Sequence, residues 1–103
     1  MKIPAFAILI PLTALSAYPH GSAYAQDNRG RDLATTCSGC HGTNGRSASG
    51  MPTIAGLDAA YIVKQMNDFK SGARPATVMQ QIAKGYNDEQ IAALAAYFSV
   101  QKN

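Results

Sequence analysis

The chain has 103 residues, with nine Lys and Arg against six Asp and Glu, and only two cysteines. That length holds one domain. The net charge of +3 is dispersed, with no run of like charge, which excludes the basic footprint of a nucleic-acid binder. The two cysteines stand three positions apart, so no disulfide framework can staple the fold.

The first stretch, MKIPAFAILIPLTALSAYPHGSAYA, reads as a leader rather than as part of the domain. Lys2 gives a thin positive start, and Ile3 to Ala17 is apolar apart from Thr13 and Ser16. Ala23-Tyr24-Ala25 then fits the small-x-small pattern of a cleavage site. A membrane anchor needs roughly 20 apolar residues, and Pro4, Pro11, Pro19 and His20 crowd this segment. We therefore expect residues 1–25 to be a signal peptide and the product to be exported to the periplasm. The mature chain, residues 26–103, has no second hydrophobic segment, so no membrane span is expected in it.

Those 78 residues fall below the roughly 80 at which a hydrophobic core alone becomes adequate. Something else must complete the core.

From Asp27 to Thr36 a short helix is expected, capped by Asp27 or Asn28. Gly30 inside it is unfavourable and suggests a close approach by another element. Residues 42–56, GTNGRSASGMPTIAG, have no period and read as a loop long enough to wrap a ligand. Asp58 should cap a helix running to about Ser71, with Gly72 ending it. Ile62, Met66 and Phe69 would mark its buried face. A second short helix is expected to begin near Pro75, in its first turn, with Val78, Met79 and Ile82 on one face and a stop at Gly85. Asn87 and Gln90 make an approximate capping box for a last helix with Ile91, Leu94, Ala95 and Phe98 inside and Tyr97 beside them. The fold class expected is all-α.

The chemistry concentrates in ATTCSGCHGTNG, residues 34–45. A thioredoxin-like dithiol would lie next to a βαβ pattern, and no strand-like alternation occurs in the mature chain. A zinc site wants four ligands. Cys37, Cys40 and His41 offer three, two of them adjacent, and His41 is the sole histidine after residue 25. The third reading is C-x-x-C-H covalent haem attachment. It uses both cysteines and the one mature histidine, and an apolar haem supplies the missing core. With His41 on one side of the iron, one axial position is left. Met51, Met66 and Met79 are the sulfur candidates. A mid-stripe methionine such as Met66 is more often ordinary core. Spacing favours Met79 slightly over Met51, and an open iron is the remaining option.

Beyond these residues, the stretch 29–101 resembles a class I cytochrome c of the short bacterial subgroup whose domains often occur fused in pairs. The likeness is carried by CSGCHG at 37–42, MPTIAG at 51–56, YIVKQMNDFKSGAR at 61–74, VMQQIAKGYNDEQI at 78–91 and LAAYF at 94–98. The resemblance implies a class I cytochrome c fold over residues 26–103, wrapped around one covalent haem c. It implies that Cys37 and Cys40 carry the thioethers and that His41 and Met79 bind the iron. Pro52 matches the proline whose carbonyl accepts a hydrogen bond from that histidine. Gly30 matches a helix glycine packed on an aromatic of the last helix, here Tyr97, while Met51 and Met66 stay core. The chain departs from the subgroup in carrying one such domain rather than two.

Two filled axial positions leave one-electron transfer as the task, so a carrier rather than an enzyme is expected. The blocks FKSGARPATVM and MPTIAGL look most like the cytochrome subunit of flavocytochrome c sulfide dehydrogenases. That likeness implies a flavin-containing sulfide dehydrogenase subunit as redox partner. A freely diffusing periplasmic carrier is the alternative. A five-coordinate, gas-binding haem protein is the reading from another class. Arg46, Lys64, Lys70, Arg74 and Lys84 read individually as solvated surface.

Overall fold

The computed structural model describes residues 2–5 and 22–103. Most of the expected signal peptide, residues 1–25, lies outside the described residues. Five α-helices and one 3₁₀ turn follow in order among them: α1 Ser22–Ala34, α2 Ser38–His41, the turn Thr43–Gly45, α3 Ala59–Ser71, α4 Val78–Ala83 and α5 Asp88–Ser99. No strand occurs among the described residues. The all-α expectation holds.

Local chemistry sets the two long helices after the motif. The Asp58 carboxylate accepts a hydrogen bond from the Tyr61 backbone N–H at 3.3 Å, satisfying one of the unpaired donors at the start of α3. Gly72, at φ 83°, ends α3 in the left-handed conformation, and its N–H donates to the Phe69 carbonyl. The capping box of α5 is complete. Asn87 Oδ1 accepts from the Gln90 N–H at 2.8 Å, and Gln90 Oε1 accepts from the Asn87 N–H at 2.9 Å.

Two helix starts differ from expectation. α1 begins at Ser22, so Asp27 and Asn28 lie inside it rather than at its cap. The sequence SAYAQ before them contains no residue that breaks a helix, and the pattern simply continues backwards. α4 begins at Val78 after Thr77, and Pro75 lies outside its first turn. The Arg74 N–H still donates to the Asp68 carbonyl at 3.1 Å. The chain is thus finishing the exit from α3, and it needs Pro75 to Thr77 before it can turn again.

α1 and α3 both pack on α5, and α4 packs on α3. Ile91, Leu94, Ala95 and Phe98 of α5 are all buried, as the stripe requires. Gly30 lets α1 approach α5 closely: a Cβ there would stand 2.7 Å from the Ala93 carbonyl oxygen and 3.0 Å from Tyr97 Cβ. The glycine that looked unfavourable for a helix is the contact point of two helices. The core itself is small. Among the described residues the buried apolar side chains are Ala34, Ala55, Ile62, Ala83, Ile91, Leu94, Ala95 and Phe98, half of them alanines. Ile62, Met66 and Phe69 explain where the rest of the apolar surface goes. Only Ile62 is buried, and all three face a cavity.

Candidate functional site

The motif forms a single helical turn. The His41 N–H donates to the Cys37 carbonyl at 2.9 Å, and Cys37 itself has helical φ and ψ of −71° and −30°. Residues at i, i+3 and i+4 of a turn share one side. That is the physical reason for the spacing: Cys37, Cys40 and His41 are presented together, and all three line the same cavity.

The chain must then leave the helix sharply. Gly42 does so at φ 85°, where any Cβ would collide with the Arg46 carbonyl. Asn44 follows at φ 54°, a left-handed position that asparagine tolerates. Its Oδ1 accepts a hydrogen bond from the Tyr97 hydroxyl at 2.6 Å, tying this turn to α5. The Gly45 carbonyl accepts from the Ile54 and Ala55 N–H groups at 2.8 and 3.2 Å. These bonds close the loop and bring Pro52 under the histidine. His41 Nδ1–H donates to the Pro52 carbonyl at 2.7 Å. A proline carbonyl can only accept, so the proton sits on Nδ1 and the lone pair is left on Nε2.

Met79 lies on α4 and is half-buried. The turn after α4 is tied down from two directions. The Lys70 ammonium donates to the Tyr86 carbonyl at 2.7 Å. The Tyr86 hydroxyl lies 3.1 Å from Thr36 Oγ1, which itself donates to the Leu33 carbonyl, so Tyr86 is the donor. Residue 86 is thereby linked to the segment leading into the motif.

Cys37, Cys40, His41, Pro52 and Met79 all line one cavity of about 820 Å³. This is near the upper end of ligand-site volumes, roughly 300–1,000 Å³. Ile54, Leu57, Ile62, Met66, Leu94 and Phe98 contribute apolar surface to its remaining wall. Large, apolar, and lined by two thiols, an imidazole and three thioethers, it fits a covalent haem. Met66 packs against the core cluster and also faces the cavity. Met51 departs from the core position expected of it. It is 41 % exposed at the cavity rim, because Ser47 to Ser49 turn outward before the chain returns at Pro52.

The sequence did not single out Tyr61 or Gln65, which also line the cavity, and Arg74, read as solvated surface, is exposed at its edge. Gln65 and Phe69 are one turn apart on the helix that carries Ile62 and Met66, so that stripe was a usable signal. Burial pushes the Cys37 thiol above its ordinary range, and the neighbouring Cys40 adds to the rise. A raised thiol is mostly protonated at neutral pH, which ill suits a catalytic redox dithiol. Among the described residues, no three His, Cys, Asp or Glu side chains gather as a metal would require. No helix among them is long and apolar enough to cross a membrane.

The comparisons agree with this geometry. The family model described as Cytochrome c matches residues 28–100. The chain is 47% identical over 72 residues to the cytochrome subunit of sulfide dehydrogenase from Chlorobaculum tepidum, covering 70% of this chain and 66% of that one. It is 39% identical over 92 residues to a thiosulfate dehydrogenase electron acceptor of Stutzerimonas stutzeri, covering 87% and 42%. A solved cytochrome c4 structure from Acidithiobacillus ferrooxidans superposes with a TM-score of 0.62 at 34% identity, covering 82% of this chain and 52% of its own. The chain thus spans about two fifths to two thirds of the length of these relatives.

Proposed function

The chain belongs to the cytochrome c family, and from that premise we propose that it is an exported, His41/Met79-ligated electron acceptor for a flavin-containing sulfide dehydrogenase subunit. The family carries covalent haem c and transfers electrons, and the chain is an electron-transfer protein rather than an enzyme. Three methionines line the cavity with Cys37, Cys40 and His41; Met79 is favoured because Met66 packs against the core cluster and Met51 is exposed at the rim, whereas Met79 is half-buried on the separate helix α4. The likeness to the sulfide dehydrogenase cytochrome supports the partner.

The bound haem supplies one-electron exchange between ferric and ferrous iron. Cys37 and Cys40 would hold it through thioethers, which would keep it from dissociating between transfers. Pro52 fixes the imidazole plane through His41 Nδ1–H and makes Nε2 a better donor. Met79 offers a thioether, which favours the reduced metal and raises the potential. Leu94 and Phe98 keep water from the inner end of the cavity. Held by both His41 and Met79, a haem would have no position left for oxygen or peroxide, which is what separates this reading from the five-coordinate one.

Two measurements test this. Ferric protein should show the weak far-red sulfur-to-iron band, and Met79→Ala should abolish it. Persistence of the band in that variant would overturn the ligand. A periplasmic extract run on a sizing column should show haem and flavin eluting together well above the mass of this chain. Haem eluting alone near monomer size would replace the subunit reading with a diffusible carrier, a role favoured by the likeness to a thiosulfate dehydrogenase electron acceptor.

A further inference from the structure

Among the lysines of the described residues, Lys70 alone is not exposed. It lies in the last turn of α3, where a cation complements the helix dipole and a solvated ammonium would suffice. Its Nζ instead crosses to the segment that carries Met79. It donates to the Tyr86 carbonyl at 2.7 Å, in a part-buried bond. No carboxylate competes for it, since the ion pairs among the described residues belong to Arg29, Arg31 and Lys64. Ordering a long side chain this way is entropically unfavourable, and a charged donor offsets it with a bond roughly twice as strong as a neutral one. The other end of the same segment is held on the same turn of α3, where the Arg74 N–H donates to the Asp68 carbonyl at 3.1 Å. Residues 74–86 thus form a loop pinned at both ends, to Asp68 and Lys70, with Met79 near its middle. Between the pins α4 has no side-chain cap, and Val78 and Ile82 are exposed. The pins do not fold this helix; they limit how far it can move.

We propose that Lys70 is a positioning residue for the Met79 sulfur: its bond to Tyr86 closes the loop and keeps the thioether at the cavity it shares with His41, an inference that rests on the His41/Met79 reading above. A loop pinned at both ends leaves few positions open to its middle. Freed at one end it gains conformational entropy, and the place of Met79 at the cavity becomes one among several. Lys70 acts through the backbone of Tyr86 and sets how often the iron is left without its sulfur. The Tyr86 hydroxyl supports this end from another side, through Thr36, but that bond is neutral and exposed.

The experiment titrates imidazole into the ferric, haem-loaded protein. Imidazole must displace the sulfur, so its apparent Kd falls as the sulfur-free fraction rises. Lys70→Met keeps the apolar stem and removes the donor. Its apparent Kd should fall about tenfold, as the loss of a hydrogen bond from a charged group implies. Lys70→Arg should restore most of the wild-type value. Lys84→Met removes an exposed charge from the same segment and should change the Kd by less than about twofold. A Kd within about twofold of wild type in Lys70→Met would overturn the proposal, as would equal falls in the Met and Arg variants. A matching fall in Lys84→Met would also sink it, because charge rather than the bond would then be the cause. Hydrogen exchange in Lys70→Met should rise across residues 78–83 while the Ile54 and Ala55 amides stay protected. An equal rise at both places would mean general loosening and would reject the positioning role. If Lys70→Met fails to retain haem, Lys70→Gln replaces it; this variant keeps a neutral donor, and a fall of about threefold is expected, with no fall overturning the inference. The far-red band separates the two readings. A band lost in Met79→Ala with no effect in Lys70→Met sinks the lysine alone, whereas a band that survives Met79→Ala sinks both.

Discussion

Two stretches line the cavity and are built on different principles. The motif stretch, from Cys37 to Ala55, is closed by backbone and side-chain bonds. Its histidine is fixed by Pro52, its turn by Tyr97, and its buried Gly45 by two N–H groups from Ile54 and Ala55. The methionine stretch, from Ala73 to Tyr86, has a six-residue helix with no side-chain N-cap bond. Ala83 is buried, but its larger apolar residues Val78, Met79 and Ile82 face the cavity or solvent, with Val78 58% and Ile82 39% exposed. Isolated helices this short are unstable. The first stretch is preorganised by the protein, whereas the second depends on what fills the cavity.

The largest effect should come from removing the haem. A Cys37→Ala, Cys40→Ala double variant leaves a core of a few alanines with Ile62, Ile91, Leu94 and Phe98 as its large buried members. Thermal unfolding followed by circular dichroism should then show no cooperative transition. A sharp transition near that of the holoprotein would mean the cavity is self-supporting. Met79→Ala in the haem-loaded protein cuts more finely. Hydrogen exchange should rise across residues 78–83 while the Ile54 and Ala55 amides stay protected. Equal loosening of both stretches would break the contrast. Gly30→Ala tests the frame beneath both. The new methyl must enter space occupied by the Ala93 carbonyl and Tyr97 Cβ, and a loss of about 1–3 kcal/mol in denaturant unfolding is expected. A neutral or stabilising result would mean that α1 can shift away from α5 freely.

The parts of this structure legible in the sequence are those whose causes are local. Asp58 with Tyr61, Gly72 after Ser71, and Asn87 with Gln90 each act within four residues. The α5 stripe is equally local, because Ile91, Leu94, Ala95 and Phe98 repeat at helical spacing. The motif was legible because a single turn forces Cys37, Cys40 and His41 to one side. What escaped was set by distant partners. Nothing near Tyr97 points to Asn44, 53 positions away, and nothing near Tyr86 points to Thr36, 50 away. Arg74 is exposed, as its surface reading has it, but the sequence does not show that Gln65 and Phe69 of α3 lie beside it. The stripe of Ile62, Met66 and Phe69 was correct as a pattern and incomplete as a reading. Apolar periodicity reports a face that avoids water, and it cannot distinguish a protein core from a ligand cavity.

Those two long-range hydroxyl contacts give the finest test of the contrast, since each anchors one stretch. Tyr97→Phe removes the donor to Asn44 Oδ1 while leaving the ring against α1. Asn44 sits at a positive φ in the turn that follows His41, and the bond is short and partly buried. A loss of about 1 kcal/mol is expected, with faster exchange at the Ile54 amide. Tyr86→Phe removes the hydroxyl bond to Thr36, which is longer and exposed. The Lys70 contact survives, because it is made to the backbone carbonyl. About 0.5 kcal/mol is expected, at the low end for such a bond, with exchange rising only near residues 78–86. Chemical denaturation of both variants, in ferric and ferrous forms, would rank them. If Tyr86→Phe proved the more damaging, the methionine stretch would be held by protein contacts after all, and its dependence on the cavity's occupant would have to be abandoned.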